Sequence, residues 1–119
     1  MNREHAIVLI DREMAAYCTA KAAGEITTAW TALERAHIVS QPYLGPHLSN
    51  HWAMFCFAFE LRDWREVVGQ IVRLALAPLG ALTGRIPVGN TGRSNVSAFL
   101  EMEIPDDLRL QVNDAGDAN

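Results

Sequence analysis

The sequence predicts an all-α protein: a four-helix bundle of two helical hairpins followed by an irregular C-terminal arm. Three observations predict it. Apolar residues recur at helical spacing over four stretches, about residues 3–22, 26–39, 46–61 and 64–77. Short breaks of glycine, proline or polar residues separate them. From Gly84 onward the character changes to turn and loop residues. The 119 residues suffice for one core and are too few for two, so residues 1–112 read as a single helical domain and 113–119 as a frayed polar tail.

The first helix carries Ile7, Ile10, Met14, Tyr17, Cys18 and Lys21 at helical spacing, with an alanine-rich second half and Gly24 as its stop. In the second, Ile26, Trp30, Leu33 and His37 form an i, i+4, i+7, i+11 stripe, which puts His37 on the ridge facing the core. The third is expected to open at Pro46, a residue suited to a first helical position, with Leu48, Trp52, Phe55 and Phe59 on one stripe and His51, Met54 and Ala58 beside it. The fourth starts at Trp64. Its Val67, Val68, Ile71, Val72, Leu74, Ala75 and Leu76 predict a well-buried element that Pro78 kinks or stops. Residues 84–112 are expected to be loop and extended arm, pinned back by Phe99, Leu100, Met102 and Ile104.

Half of the residues are hydrophobic and a fifth are charged, which excludes a mainly disordered chain. A net charge of −4 gives no electrostatic footprint for nucleic acid. The apolar run Ala6–Ile10 is far shorter than a signal-peptide core, and no segment is expected to reach the roughly 18 apolar residues of a membrane span. A cytoplasmic protein without membrane or nucleic-acid partners is therefore expected. Cys18 and Cys56, with no Cys-x-x-Cys spacing, read as two reduced core thiols.

The stretch Glu34 to His51 holds three of the four histidines. Glu34 and His37 are three apart and His47 and His51 four apart, so each pair projects from one helix face. Between them Ser40-Gln41-Pro42-Tyr43-Leu44-Gly45-Pro46 is a connection of the length usual between packed helices. An antiparallel hairpin would then bring Glu34, His37, His47 and His51 to one place. Three imidazoles and a carboxylate are the donor set of zinc or non-haem iron. His47 lies at a helix start, where the positive end of the dipole disfavours imidazolium and keeps the lone pair available. The other reading of the same residues is a core histidine bonded to a carbonyl or to Gln41, a surface-paired Glu34 and a His47 that merely fills a helix start. A di-iron centre is half signalled by Glu-x-x-His, but its further glutamates and second Glu-x-x-His are missing from one chain.

Gly89-Asn90-Thr91-Gly92-Arg93-Ser94-Asn95 is the second candidate. It lacks the Gly-Lys-Ser/Thr ending of a phosphate loop and the three-glycine dinucleotide fingerprint. It reads as a structural turn, with Asn90 or Asn95 placed to reach back to a metal-bound histidine. No serine or cysteine has a nearby base that marks it as a nucleophile.

An internal repeat aligns Ala20-Lys21-Ala22-Ala23-Gly24-Glu25 with Ala58-Phe59-Glu60-Leu61-Arg62-Asp63 at an offset of 38. This resembles the turn and second helix of a tetratricopeptide repeat over residues 5–78, and implies tetratricopeptide-like packing. The chain also resembles a bacterial family known as a domain of unknown function. That resemblance rests on Leu33-Glu34-Arg35-Ala36-His37 with Gln41, His47 and His51, on Arg65-Glu66-Val67-Val68-Gly69-Gln70, and on Gly89-Asn90-Thr91-Gly92 with Asn95-Val96-Ser97. It covers residues 12–108. Met102-Glu103-Ile104-Pro105 departs from the family's Met-Pro-Ile-Pro ending at Glu103. The family brings no activity with it.

Two functions are therefore expected. One is a small metal-binding protein with ligands His37, His47, His51 and Glu34, and Gln41, Asn90, Thr91 and Asn95 around them, serving metal handling or a metal-dependent reaction. The alternative is a metal-free helical interaction module that binds a protein partner, or a second copy, through the histidine turn and the Gly-Asn-Thr-Gly loop.

Overall fold

The computed structural model describes residues 2–84, 87–97 and 100–117. Among the described residues there are five helices and no strand: α1 (Arg3–Ala22), α2 (Ile26–Ser40), α3 (Leu44–Glu60), α4 (Trp64–Thr83) and α5 (Asp106–Asp117). α1 packs on α2 and α3 on α4, giving two helical hairpins that join through α2 against α3.

The turns of the two hairpins repeat bond for bond. In the first, the amides of Ala23, Gly24 and Glu25 donate to the carbonyls of Thr19, Lys21 and Ala20; in the second, those of Leu61, Arg62 and Asp63 donate to Phe57, Phe59 and Ala58. The offset of 38 seen in the sequence is thus a repeat of structure. It places left-handed backbone at Gly24 (φ 73°) and, 38 residues on, at Arg62 (φ 57°), where a side chain bears the conformational cost. Asp63 adds a cap, its carboxylate accepting from the Glu66 amide.

The principal core joins Tyr17, Ala20, Trp30, Leu33, Met54, Phe57, Ala58 and Val67, with the rings of Trp30 and Tyr17 both against Phe57. The expected α2 stripe is buried at Trp30, Leu33 and His37, while Ile26 is exposed. Three phases differ from expectation. α1 buries Ala6, Leu9, Tyr17 and Ala20 and leaves Ile7 exposed. α3 buries His51, Met54 and Ala58, and Trp52 is 57 % exposed.

α4 is inverted. Glu66, Gln70 and Arg73 face inward, whereas Val68 is 61 % and Leu82 83 % exposed. Its interior serves polar groups of the site, so Val68, Ile71, Val72, Leu79 and Leu82 are turned outward while Val67 and Ala77 stay buried. The outer strip continues onto α3 through rings in contact, Trp52 on Phe55, Phe55 on Phe59 and Phe59 on Trp64. By length and composition alone α4 meets the size of a membrane span, where none was expected, and only 28 % of that stretch is buried.

Helix boundaries also moved. α3 begins at Leu44, two residues before Pro46, because the first helical turn tolerates a missing amide. α4 passes Pro78 and ends at Thr83, closed by left-handed Gly84. Residues 106–117, expected as arm and tail, are α5. Leu108 is fully buried with Ala6, Leu9, Ile38 and Val39, and Asp107 holds Arg35 through two hydrogen bonds of 3.0 and 2.8 Å. Phe99, expected to pin the arm, lies outside the described residues, as do the last two residues of the tail. Both cysteines are free; Cys18 is exposed rather than in the core and Cys56 half-buried.

Candidate metal centre

His37 sits in the last turn of α2, His47 in the first turn of α3 and His51 one turn further on. The break at residues 41–43 folds α3 back so that the three rings converge. Their Nε2 atoms form a near-equilateral triangle, 3.1 Å between His37 and His51, 3.0 Å between His47 and His37, and 3.0 Å between His51 and His47. Among the described residues these three form the group able to share a metal ion, and His37 and His51 are buried.

The proton positions follow from the partners. The Asn90 carbonyl can only accept, so His37 donates to it from Nδ1 across 2.7 Å. Gln70 donates from Nε2 to the Gly92 carbonyl at 2.9 Å, which turns its Oε1 to accept from Nδ1 of His51, also at 2.7 Å. Both Nδ1 atoms therefore carry the proton of a neutral ring, and both Nε2 atoms present a bare lone pair to the triangle.

Burial keeps the rings neutral. Desolvation, then the neighbouring His51 and His47, holds His37 well below its usual 6.5. Desolvation and then His51 push His47 down to about 4. His51 is lowered by desolvation, partly opposed by its bond to Gln70.

Two lone pairs 3.1 Å apart repel, and a single proton on His47 can serve one side of the triangle at a time. A cation above the triangle satisfies all three nitrogens. Imidazole–metal bonds of about 2.0–2.1 Å place nitrogens roughly 3.3 Å apart on a tetrahedron and roughly 2.9 Å apart on one face of an octahedron. The observed edges of 3.0–3.1 Å lie between these, nearer the facial arrangement. The Nδ1 partners are of the kind that fix ring orientation in metal-binding histidines.

Glu34 is not brought to this group. Arg93 from the loop takes its carboxylate at 3.3 Å, and Glu34 lines a second cavity together with Thr91. Burial raises the Glu34 pKa against the pull of Arg93. Arg93 also bonds Glu66 and lies 3.8 Å from the centre of the Trp30 ring, so one side chain fastens the loop to α2 and α4. The Ser94 amide and hydroxyl both donate to Glu66.

Asn90 reaches His37 through its backbone carbonyl, while its side chain donates to the carbonyls of Ser97 and Leu100 and accepts from the Gly92 amide. Gln41 donates to the Pro87 carbonyl, not to His37. Thr91 Oγ1 accepts from the Arg93 amide, and Asn95 is exposed. At Gly92 (φ +81°) a Cβ would fall 2.6–2.8 Å from the His37 ring, so only glycine lets the loop close on the histidine.

Sequence reasoning missed Gln70, Glu66, Arg73 and the role of Gly92. A signal was present: Glu66, Gln70 and Arg73 form an i, i+4, i+7 polar stripe within an otherwise apolar helix.

A cavity of about 280 Å³ opens beside the triangle. The three histidines, Gln41 and Arg73 line it together with apolar residues of α4, including Leu76, Ala77 and Leu79. This is an all-helical protein whose buried histidine cluster can accept a metal ion and faces a small, largely apolar cavity. The chain belongs to the family described as Protein of unknown function (DUF3703), whose family model matches residues 4–112. No curated protein and no solved structure matches it.

Proposed function

We propose that this chain binds one divalent transition metal ion, zinc or iron, on the Nε2 atoms of His37, His47 and His51, with the remaining coordination positions open to the cavity. Its role is metal handling or a metal-dependent reaction on a small molecule. The observation that carries this reading is the His37–His51 pair: two acceptors 3.1 Å apart, each with its Nδ1 proton already committed. Glu34 is left out of the ligand set.

Metal content by elemental analysis of protein purified without a histidine tag tests it. About one metal ion per chain, lost in His47→Ala and in His51→Ala, is the expected result. Metal-free protein whose melting temperature zinc and iron do not shift would argue against it.

A second reading, pairing of two copies through the outer face of α3 and α4, is favoured by the exposed strip of Trp52, Phe59, Trp64, Val68, Ile71 and Leu79. Sedimentation velocity tests it: a dimer that Val68→Asp converts to monomer is expected. A monomer, or a chain that floats with phosphatidylcholine vesicles instead, would contradict it.

A further inference from the structure

The charge balance beside the histidine triangle says what else the cavity takes. The three proposed ligands are neutral imidazoles, so a divalent ion on them keeps its whole charge. The nearby carboxylates are bonded elsewhere, Glu34 to Arg93 and Glu66 to Arg93 and Ser94, so Glu66 acts on the site only through its field. The charged side chain that does line the cavity is a second cation, Arg73.

Arg73 is itself unusual. It is 9 % exposed, yet it makes no ion pair among the described residues. Its two terminal nitrogens donate to the carbonyls of Gly69 and Val96, and its buried Nε has no hydrogen-bond partner. Arg73 and the three histidines line one cavity; desolvation lowers the Arg73 pKa against the pull of Glu66, and its charge helps to lower those of His37 and His51. A buried guanidinium that no carboxylate contacts, with its Nε unbonded, is costly unless an anion from outside completes it.

The rest of the lining limits the anion. Leu76, Ala77, Leu79 and Pro87 are apolar, and no second cation lines the cavity among the described residues. That suits a singly charged group with a hydrocarbon body better than a phosphate, which calls for more donors. A cavity of about 150 Å³ holds benzene. The present 280 Å³ therefore admits a molecule of a few more heavy atoms.

We infer that the cavity binds a small organic carboxylate, its head shared between the metal ion and Arg73 and its apolar body against the α4 wall at Leu76, Ala77 and Leu79. This rests on the metal reading above and adds the ligand class to it.

The test uses the full chain loaded with cobalt(II), titrated with acetate, butyrate and hexanoate while the visible absorption of the metal is followed. Metal affinity is measured first and separately, with a competing chelator. Affinity is expected to rise about threefold to fourfold per added methylene. Arg73→Gln should bind cobalt as before and lose at least tenfold in butyrate affinity, with Arg73→Lys recovering part of it. Ala77→Leu, which narrows the cavity, should abolish the gain with chain length and leave acetate unchanged. Cobalt-loaded protein that binds all three carboxylates equally, or whose Arg73→Gln variant binds butyrate undiminished, overturns the inference and leaves the metal site standing. Failure to bind cobalt at all would remove both.

Discussion

Nε2 of His37 and Nε2 of His51 face each other at 3.1 Å, and each ring has its other nitrogen donating outward, to the Asn90 carbonyl and to Gln70. The fold therefore holds two acceptors against one another and builds outer partners that keep them so. Partners of this kind orient the rings of metal-binding histidines.

Gln70 is the clearest handle on that outer layer. Gln70→Leu removes the acceptor of the His51 Nδ1 proton and strands the Gly92 carbonyl. Zinc affinity, measured by chelator competition, should fall about 10–100-fold. Stability in denaturant should fall by about 1–3 kcal/mol for the unpaired buried groups.

Glu34→Gln should leave metal stoichiometry and affinity unchanged, because Arg93 and not the histidine cluster holds this carboxylate. A loss of metal in this variant, by the same competition assay, would restore Glu34 as a ligand.

Gly92→Ala forces a side chain into left-handed backbone and against the His37 ring. The backbone alone costs about 1–2 kcal/mol. Denaturant unfolding should show at least that loss, and zinc affinity should drop as the ring is displaced.

The histidines set a pH window. The folded His47 titrates at about 4 against an ordinary 6.5, and His37 and His51 are shifted in the same direction. Between about pH 6.5 and 4 the unfolded chain therefore binds more protons than the folded one. The contribution of these neutral rings to the stability of the metal-free protein is full above 6.5 and is lost as pH falls toward 4, and the slope should be shallower in His47→Gln. Because the rings are already neutral at pH 7, zinc binding there should release few protons from them. Calorimetric heats in buffers of different ionisation enthalpy should agree.

Arg62 occupies the left-handed position that Gly24 fills in the first hairpin. Arg62→Gly should stabilise the protein by about 0.5–1 kcal/mol without touching the site, read as a higher denaturant midpoint.

The parts of this molecule that were legible in the sequence are those where one local signal acts alone. Trp30, Leu33 and His37 lie on a single apolar stripe, so the phase of α2 could be read. The hairpin turns repeat in sequence as they do in bonding, and the histidines converge because spacing on two adjoining helix ends leaves them little choice. α3 and α4 were misread because both carry apolar residues on two sides, and the face that wins is the one whose polar groups have partners inside. Gln70 turns inward toward His51 and Gly92, and Val68 is carried outward on the same helix. Glu34 was read as a ligand because i, i+3 spacing places it beside His37; the competing partner, Arg93, is 59 residues away in a loop whose path spacing cannot give. At α5 the signal was present, since Leu108 and Val112 are four apart and pack in one cluster, but it follows directly on a loop-rich stretch and reads as part of the arm.

X-ray absorption spectroscopy at the metal edge of stoichiometrically loaded, tag-free protein bears most directly on the histidine triangle. Three imidazole nitrogens at about 2.0–2.1 Å, with oxygen donors completing the sphere, are predicted. One imidazole or none, or a sulfur ligand, would contradict a centre built on His37, His47 and His51.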